Sequence, residues 1–153
     1  KGKTTDNGTH VPLIARWDGK IKAGKECSDL IDFSDFLPTI CDVANIDISS
    51  QTTIDGVSFL PQLLGEKGKP RKWIYSWYDP RGKELKEFAR NTKYKLYRTG
   101  EFYNTKEDFF EKTPLALANM GRDAKRSHNK LTKVLDKYKN IREEKVNVKR
   151  GKN

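Results

Sequence analysis

The spacing of apolar and polar positions changes several times along the chain, and each change predicts a different element. Residues 1–10 are polar and turn-like, with Gly2 and Gly8 among them. Residues 11–17 (VPLIARW) form an apolar run. Its length and bounds predict a strand buried on both sides, with Pro12 at its mouth, where no ladder donor is needed. Asp18-Gly19-Lys20 predicts a turn, and residues 21–24 and 27–32 read as short extended pieces. A helix is predicted over 34–45. Ser34 suits the N-cap, Asp35 favours the positive end of the dipole, and Pro38 falls in the first turn, where backbone donors are unpaired. Phe36, Leu37, Ile40, Cys41, Val43 and Ala44 form its expected inner face. Asp55-Gly56 reads as a turn, and residues 57–64 as a short helical turn ending at Gly65.

Residues 66–71 (EKGKPR) form a charged linker. Beyond it the pattern becomes aromatic and β-prone. Residues 73–78, 87–91, 93–98 and 102–104 predict four short strands of an antiparallel sheet, with turns at Asn91-Thr92 and 99–101. Residues 109–120 read as a loop with a helical turn at Thr113-Pro114. The last helix is predicted over 122–139, capped by Asn119 or Asp123. Leu131, Val134, Leu135, Tyr138 and Ile141 recur at three- and four-residue steps, with Lys130, Lys133, Lys137 and Lys139 solvated around them. The last dozen residues lack an apolar face and are expected to fray.

Composition narrows the function classes. The chain has 153 residues, about one domain. Charged residues make up 34%, above the roughly 25% norm. No run approaches the ~18 uncharged apolar residues of a membrane span. Sixteen aromatics (Trp 3, Tyr 6, Phe 7) argue against wholesale disorder, and two Cys are too few for a disulfide scaffold. The net charge of +10 invites an anionic partner. Its placement weakens that reading, because residues 125–153 hold 11 Lys/Arg against 3 Asp/Glu. The body is nearly neutral, and no zinc-finger, RNP or helix-turn-helix pattern supports nucleic acid. The chain opens at Lys1 inside a loop, without Met or an apolar leader, as expected of a processed or partial chain.

The residues taken alone carry little chemistry. His10 and His128 are too few for a transition-metal site. His128, on the basic helix, is expected to be solvated, and His10 to be hydrogen-bonded. Cys27 and Cys41 are expected as free buried thiols, with a bridge left open. No G-x-S-x-G, H-E-x-x-H, Walker or dinucleotide glycine pattern occurs.

The order of short motifs is more informative. KGKTTDNGTHVPLI at 1–14 resembles the segment of formylglycine-dependent sulfatases that reads K-x-x-x-(Y/T)-(E/D)-x-G-x-(R/H)-V-P-L-I. RWDGKI at 16–21 is similar to that family's R-W-P-G-K-I, with Asp18 in place of Pro. IDFSDFLPTI at 31–40 resembles its S-x-x-D-(L/I)-x-P-T-(L/I) helix start, and IDGVSFLP at 54–61 its I-D-G-x-S-L-x-P turn. YKLY at 94–97 followed by FYNTKED at 102–108 resembles its terminal hairpin, with Phe109 replacing the usual Pro. Together these cover residues 1–138.

The resemblance implies an α/β fold: the last strand and helix of an alkaline-phosphatase-like core, plus a small four-stranded antiparallel sheet packed by a C-terminal helix. As an isolated fragment the chain would count as α+β. The core would end within residues 1–65, the terminal subdomain would span 70–140, and 141–153 would be a basic tail. The implied function is the C-terminal part of a sulfuric ester hydrolase, arylsulfatase-like, acting on a sulfated small molecule or carbohydrate. The formylglycine nucleophile and the calcium ion would belong to upstream sequence, with neither held by this chain, so the 153 residues alone are expected to be inactive. The partner would be the rest of the sulfatase core, with neither nucleic acid nor a membrane span expected, in a periplasmic or secreted setting.

One catalytic position carries over. Lys1 stands where the family has a lysine that contacts the sulfate, and Lys3 is the fallback if the loop slips by two. A fixed ammonium stabilises charge on the sulfuryl and leaving oxygens. His10 takes the family's R/H position and is carried as substrate-binding. Trp77 and Arg81 are softer candidates, because sugars stack on aromatics and guanidinium pairs with sulfate. The residues also allow Trp77 as sheet core and Arg81 as a solvated cation. A phosphodiesterase or phosphonate hydrolase of the same superfamily, or a non-enzymatic module binding anionic polymers through the tail, are the alternatives.

Overall fold

A computed structural model describes residues 3–49, 52–79 and 85–140. The chain divides into two compact units. One comprises Lys1–Thr9 with Tyr75–Asn153, the other His10–Ile74.

The sheet belongs to the first unit. Strands β1 (Ile74–Tyr78), β2 (Lys86–Arg90), β3 (Tyr94–Tyr97) and β4 (Phe102–Asn104) lie in that order, as the β-prone runs predict. β2 and β3 are antiparallel, with Phe88 opposite Tyr97, Ala89 opposite Leu96 and Arg90 opposite Lys95. β3 and β4 are antiparallel too, with Tyr94 opposite Asn104, Lys95 opposite Tyr103 and Leu96 opposite Phe102. Opposed residues share a face and sequence neighbours alternate. Ala89, Tyr94, Leu96, Phe102 and Asn104 therefore make one face. Phe88, Arg90, Lys95, Tyr97 and Tyr103 make the other.

Helix α4 (Arg122–Lys137) covers the first face with Ala124, Leu131, Val134 and Leu135, and Tyr138 is buried just past its end. Burying each of these larger side chains contributes roughly 1.5–3 kcal/mol. Tyr94 stacks on Phe102 with centroids 5.2 Å apart, and Tyr75 on Tyr138 at 4.1 Å. Arg98 fastens the helix end, reaching Glu87 Oε1 at 2.9 Å, Asp136 Oδ1 at 3.3 Å and the Leu135 carbonyl. Lys130, Lys133, Lys137 and Lys139 are exposed, as the periodicity requires. The cap differs from expectation: Gly121 takes the N-cap without a side-chain bond, and Asp123 sits in the first turn, where its charge suits the dipole. His128 is half-buried rather than solvated, because its ring meets the Phe102 edge at 5.2 Å. The helical turn expected at Thr113-Pro114 lies later, as a 3-10 turn at Leu117–Asn119. Ile141 and the basic tail lie outside the described residues.

The second face is covered by the opening segment. This contains a short helix, α1 (Asp6–Thr9), where only turns are expected, and it buries Thr4 and Asp6.

In the second unit, residues 11–17 carry no regular element, and Val11, Leu13 and Ile14 are exposed. The expected doubly buried strand needs flanking strands on both sides, and none pairs with it among the described residues. The turn after it forms, with Lys20 and Ile21 both donating to the Trp17 carbonyl. A 3-10 turn (Phe33–Asp35) leads into α2 (Phe36–Val43). Asp32, not Ser34, is the cap: its carboxylate accepts from Ser34 N, and Asp35 accepts from Asp32 N at 2.8 Å. The face expected to be inward is turned out, since Leu37, Ile40 and Val43 are exposed while Pro38 and Thr39 are buried. The cause is polar. Thr39 Oγ1 donates to the Asp35 carbonyl at 2.6 Å and accepts from Phe59 N at 3.0 Å. α3 (Leu60–Leu64) ends at Gly65 in the left-handed region, φ 78°. Both cysteines are free, but Cys27 is exposed and Cys41 only partly covered. Among the described residues no helix is long and apolar enough to cross a membrane.

Candidate functional site

The segment following Lys1 is held on the sheet by a cluster of buried charges. Lys95 projects from the second face of β3, fully buried, with Nζ 4.1 Å from the Phe88 ring centroid. It donates to Glu111 Oε1 at 2.9 Å and to the Thr4 carbonyl. The Tyr97 hydroxyl lies 2.5 Å from Glu111 Oε2 and 3.1 Å from the Thr4 carbonyl. Asp6 N donates to Glu111 Oε1 at 2.6 Å, and the Asp6 carboxylate pairs with Arg90. Burial pushes the Lys95 ammonium below its usual range, although Glu111 opposes the shift. Burial, reinforced by Glu111, pushes the Tyr97 phenol upward. Two cations face two anions here, so the cluster is balanced. Its polar groups are spent on one another and on backbone, which suits it to fixing a chain segment rather than to proton transfer.

Gly8 completes the arrangement. A Cβ there would fall on the Lys3 carbonyl, so the turn tolerates only glycine in this packing. The aspartate and glycine of the 1–14 motif thus have structural reasons. Asp6 faces Arg90, and Gly8 lets the chain close on Lys3.

A second network explains two more motifs. Asp35 is almost wholly buried. It accepts from Arg71 Nε at 2.9 Å, from Val57 N at 2.7 Å and from Asp32 N at 2.8 Å. Burial pushes its carboxyl upward, but the Arg71 guanidinium and the two amides outweigh this and hold it below the usual carboxylate range. Arg71 also reaches Ser34 Oγ and the Asp55 carbonyl, each at 3.2 Å. A Cβ on Gly56 would fall on the Ser34 carbonyl. The I-D-G and D-x-x-P-T motifs therefore lock the 54–59 loop to α2.

The candidate residues fall as follows. Lys1 and Arg81 lie outside the described residues. His10 is exposed, at the start of the second unit. Trp77 is 50% exposed on β1 beside partly exposed Tyr78, so it is a surface aromatic and not sheet core. Lys3 is exposed. Sequence reasoning missed Asp6, Arg90, Lys95, Tyr97 and Glu111. Three of them sit at quoted motif positions; Arg90 and Glu111 carry no local signal. Among the described residues no group of three or more His, Cys, Asp or Glu side chains is placed to hold a metal ion. The resemblance itself assigns the calcium to upstream sequence.

Comparison with known proteins agrees with the motifs. The chain is 42% identical over 86 residues to an uncharacterised sulfatase, YdeN, of Escherichia coli, matching 52% of this chain and 15% of that protein. It is 38% identical over 76 residues to an ulvan-active sulfatase of Formosa agariphila, matching 48% of this chain and 15% of the relative. The chain thus spans about 15% of the length of these relatives. A solved structure assigned as a sulfatase, from Bacteroides thetaiotaomicron, superposes with a TM-score of 0.51 at 28% identity, covering 68% of this chain and 23% of that one. A family model described as N-sulphoglucosamine sulphohydrolase, C-terminal, matches residues 3–145, and the chain belongs to that family of sulfatase C-terminal domains.

Proposed function

We propose that this chain serves a sulfatase that hydrolyses a sulfate ester, and that Lys1 contacts the sulfate group. The carrying observation is the buried cluster on the second face of the sheet, which holds Thr4 and Asp6, three and five residues beyond Lys1. The sequence just after Lys1 is thereby anchored to the sheet at Thr4 and Asp6. Cleavage moves charge onto the sulfuryl and leaving oxygens, and a fixed ammonium placed there acts without reorganising. His10 and Arg81 would meet substrate, and Trp77 would offer a stacking surface. Its exposure on β1 and the similarity to an ulvan-active sulfatase support a sulfated saccharide. The nucleophile and the metal would come from the rest of the sulfatase.

The test is Lys1→Ala in the whole protein, assayed on an aryl sulfate and on sulfated saccharides. A fall in kcat of about 10²–10³-fold is expected, and an unchanged kcat refutes the role. The 153-residue chain alone is expected to be inactive on aryl sulfate. Turnover by it would place the nucleophile within these residues and overturn the reading.

A further inference from the structure

Helix α4 has two faces, and the sheet accounts for only one of them. Ala124, Ser127, Leu131, Val134 and Leu135 are buried. On the opposite side stand Arg122, Arg126, Lys130 and Lys133, all exposed. At about 100° per residue these cations fall within ~80° of arc, with neighbours in the row close to one turn of ~5.4 Å apart. Lys137 continues the row, with Nζ 5.0 Å from the Tyr138 ring centroid. The whole row is about 22 Å long at 1.5 Å per residue.

No acidic residue interrupts it. The helix holds two aspartates, Asp123 and Asp136. Each lies against a cation outside the helix, Asp123 at 3.9 Å from Lys93 and Asp136 at 3.3 Å from Arg98. Among the described residues no carboxylate pairs with Arg122, Arg126, Lys130 or Lys133. A face that only needs water is better served by mixed signs, because like charges four residues apart destabilise a helix. Arg122 with Arg126, and Arg126 with Lys130, are such like pairs. An apolar surface could not cover the row either, since burying unpaired charge is costly. A compact anion would engage one or two of these cations. A polymer with anions along its length can engage them all.

We propose that the solvent face of α4 binds a sulfated polysaccharide, with Arg122, Arg126, Lys130 and Lys133 meeting successive sulfate groups. The guanidinium groups can hold sulfate through paired N–H donors, and the ammonium groups act as point charges. Binding there would hold polymeric substrate on the enzyme and raise its local concentration. The proposal rests on the reading of the parent as a sulfatase acting on sulfated saccharides.

The probe is labelled dextran sulfate, titrated with the whole protein between about 50 and 200 mM NaCl. The variant Arg126→Gln with Lys130→Gln and Lys133→Gln removes charge at exposed positions and keeps helix propensity. It is expected to bind at least about tenfold more weakly at the lower salt, with a log–log salt slope shallower by about 2, because fewer counterions are released. Its urea midpoint should match or exceed the parent's, since like-charge pairs are relieved. The variant Lys149→Ser with Arg150→Ser and Lys152→Ser removes as much charge from the tail. It should bind within about twofold of the parent, because charge outside the contact releases no counterions. An α4 variant that binds as the parent does, or a tail variant that loses as much, overturns the proposal. Duplex DNA bound as tightly as dextran sulfate at the same salt overturns it too. A parent that turns over sulfate esters but ignores dextran sulfate refutes the α4 site alone. A parent that binds dextran sulfate but turns over neither aryl sulfate nor sulfated saccharides refutes the sulfatase reading, and the polysaccharide site falls with it.

Discussion

Arg90 on β2 and Asp6 in α1 form a buried ion pair across 84 positions of sequence. The pair joins the opening segment to the sheet, inside the same compact unit. Removing one partner strands the other's charge away from water, which is what makes buried pairs expensive to break. Arg90→Met is therefore expected to lower unfolding free energy by about 3–5 kcal/mol. The double variant Arg90→Met with Asp6→Leu should recover most of the loss. Urea midpoints for the parent, Arg90→Met, Asp6→Leu and the double variant decide it, and additive losses would show that the two charges are not coupled.

Gly56 is required by space and not by its backbone angle. Its Cβ would overlap the Ser34 carbonyl and lie 2.9 Å from Pro38 Cγ. Gly19 is the opposite case, with φ 74° and open space around it. Gly56→Ala should cost about 1–3 kcal/mol, as overpacking does. Gly19→Asn should be nearly neutral, since Asn visits the left-handed region readily. Thermal unfolding of both variants checks the contrast. Equal losses would mean that the close approach at Gly56 relaxes freely.

Much of the fold is legible in the chain because local pattern and packing agree there. The four strands, the apolar stripe Leu131, Val134, Leu135 and Tyr138, and the stop at Gly65 all follow from period and turn chemistry. The failures share a cause. Period 2 places Lys95 opposite Tyr94 and Leu96, the same pattern a solvent-facing lysine would show. Only Glu111 and Thr4, remote in sequence, make that face an interior. In α2 the apolar period marks a stripe, but Asp35 and Thr39 bind the 54–59 loop and turn the stripe outward. For the site, Lys1 rests on the resemblance alone; of the residues gripping the segment after it, Asp6, Lys95 and Tyr97 lie within motifs, while Arg90 and Glu111 carry no local signal, since a polar cluster assembled from separate stretches has no spacing to read.

Asp35 should govern part of the acid limb of stability. Its carboxyl is held below the usual range in the folded protein, where the Arg71 guanidinium and the Val57 and Asp32 amides outweigh the opposing effect of burial. A depressed folded pKa means the unfolded chain binds more protons as pH falls. The stabilisation is complete above the ordinary aspartate value of about 3.9. It is lost as pH drops through the lower folded value. Urea midpoints between about pH 6 and 2 should fall with acid more steeply in the parent than in Asp35→Asn, which is weaker at neutral pH but flatter below about pH 4. Parallel curves would show that Asp35 is not the titrating group.

The unit His10–Ile74 shows a large apolar surface to solvent, and this should govern how the 153-residue chain behaves alone. Ile14 is 91% exposed and Phe33 82%, and Val11, Leu37 and Ile40 are each more than half exposed. Scattered single apolar residues on a surface are ordinary, but five large side chains this exposed within one unit give a partner apolar area to cover. In a sulfatase of which this chain is a small part, such a surface would lie against the remaining core. Without that cover, burial returns ~25 cal/mol for each Å² removed from water, and a second copy is the nearest apolar partner. Light scattering on the isolated chain should give a mass that rises with concentration above the 17.6 kDa of one chain. Ile14→Lys combined with Phe33→Lys should shift the mass back toward that value. The far-ultraviolet spectrum should not change, because neither side chain is buried. A parent chain that stays at one-chain mass up to high concentration would show that this surface is content with water.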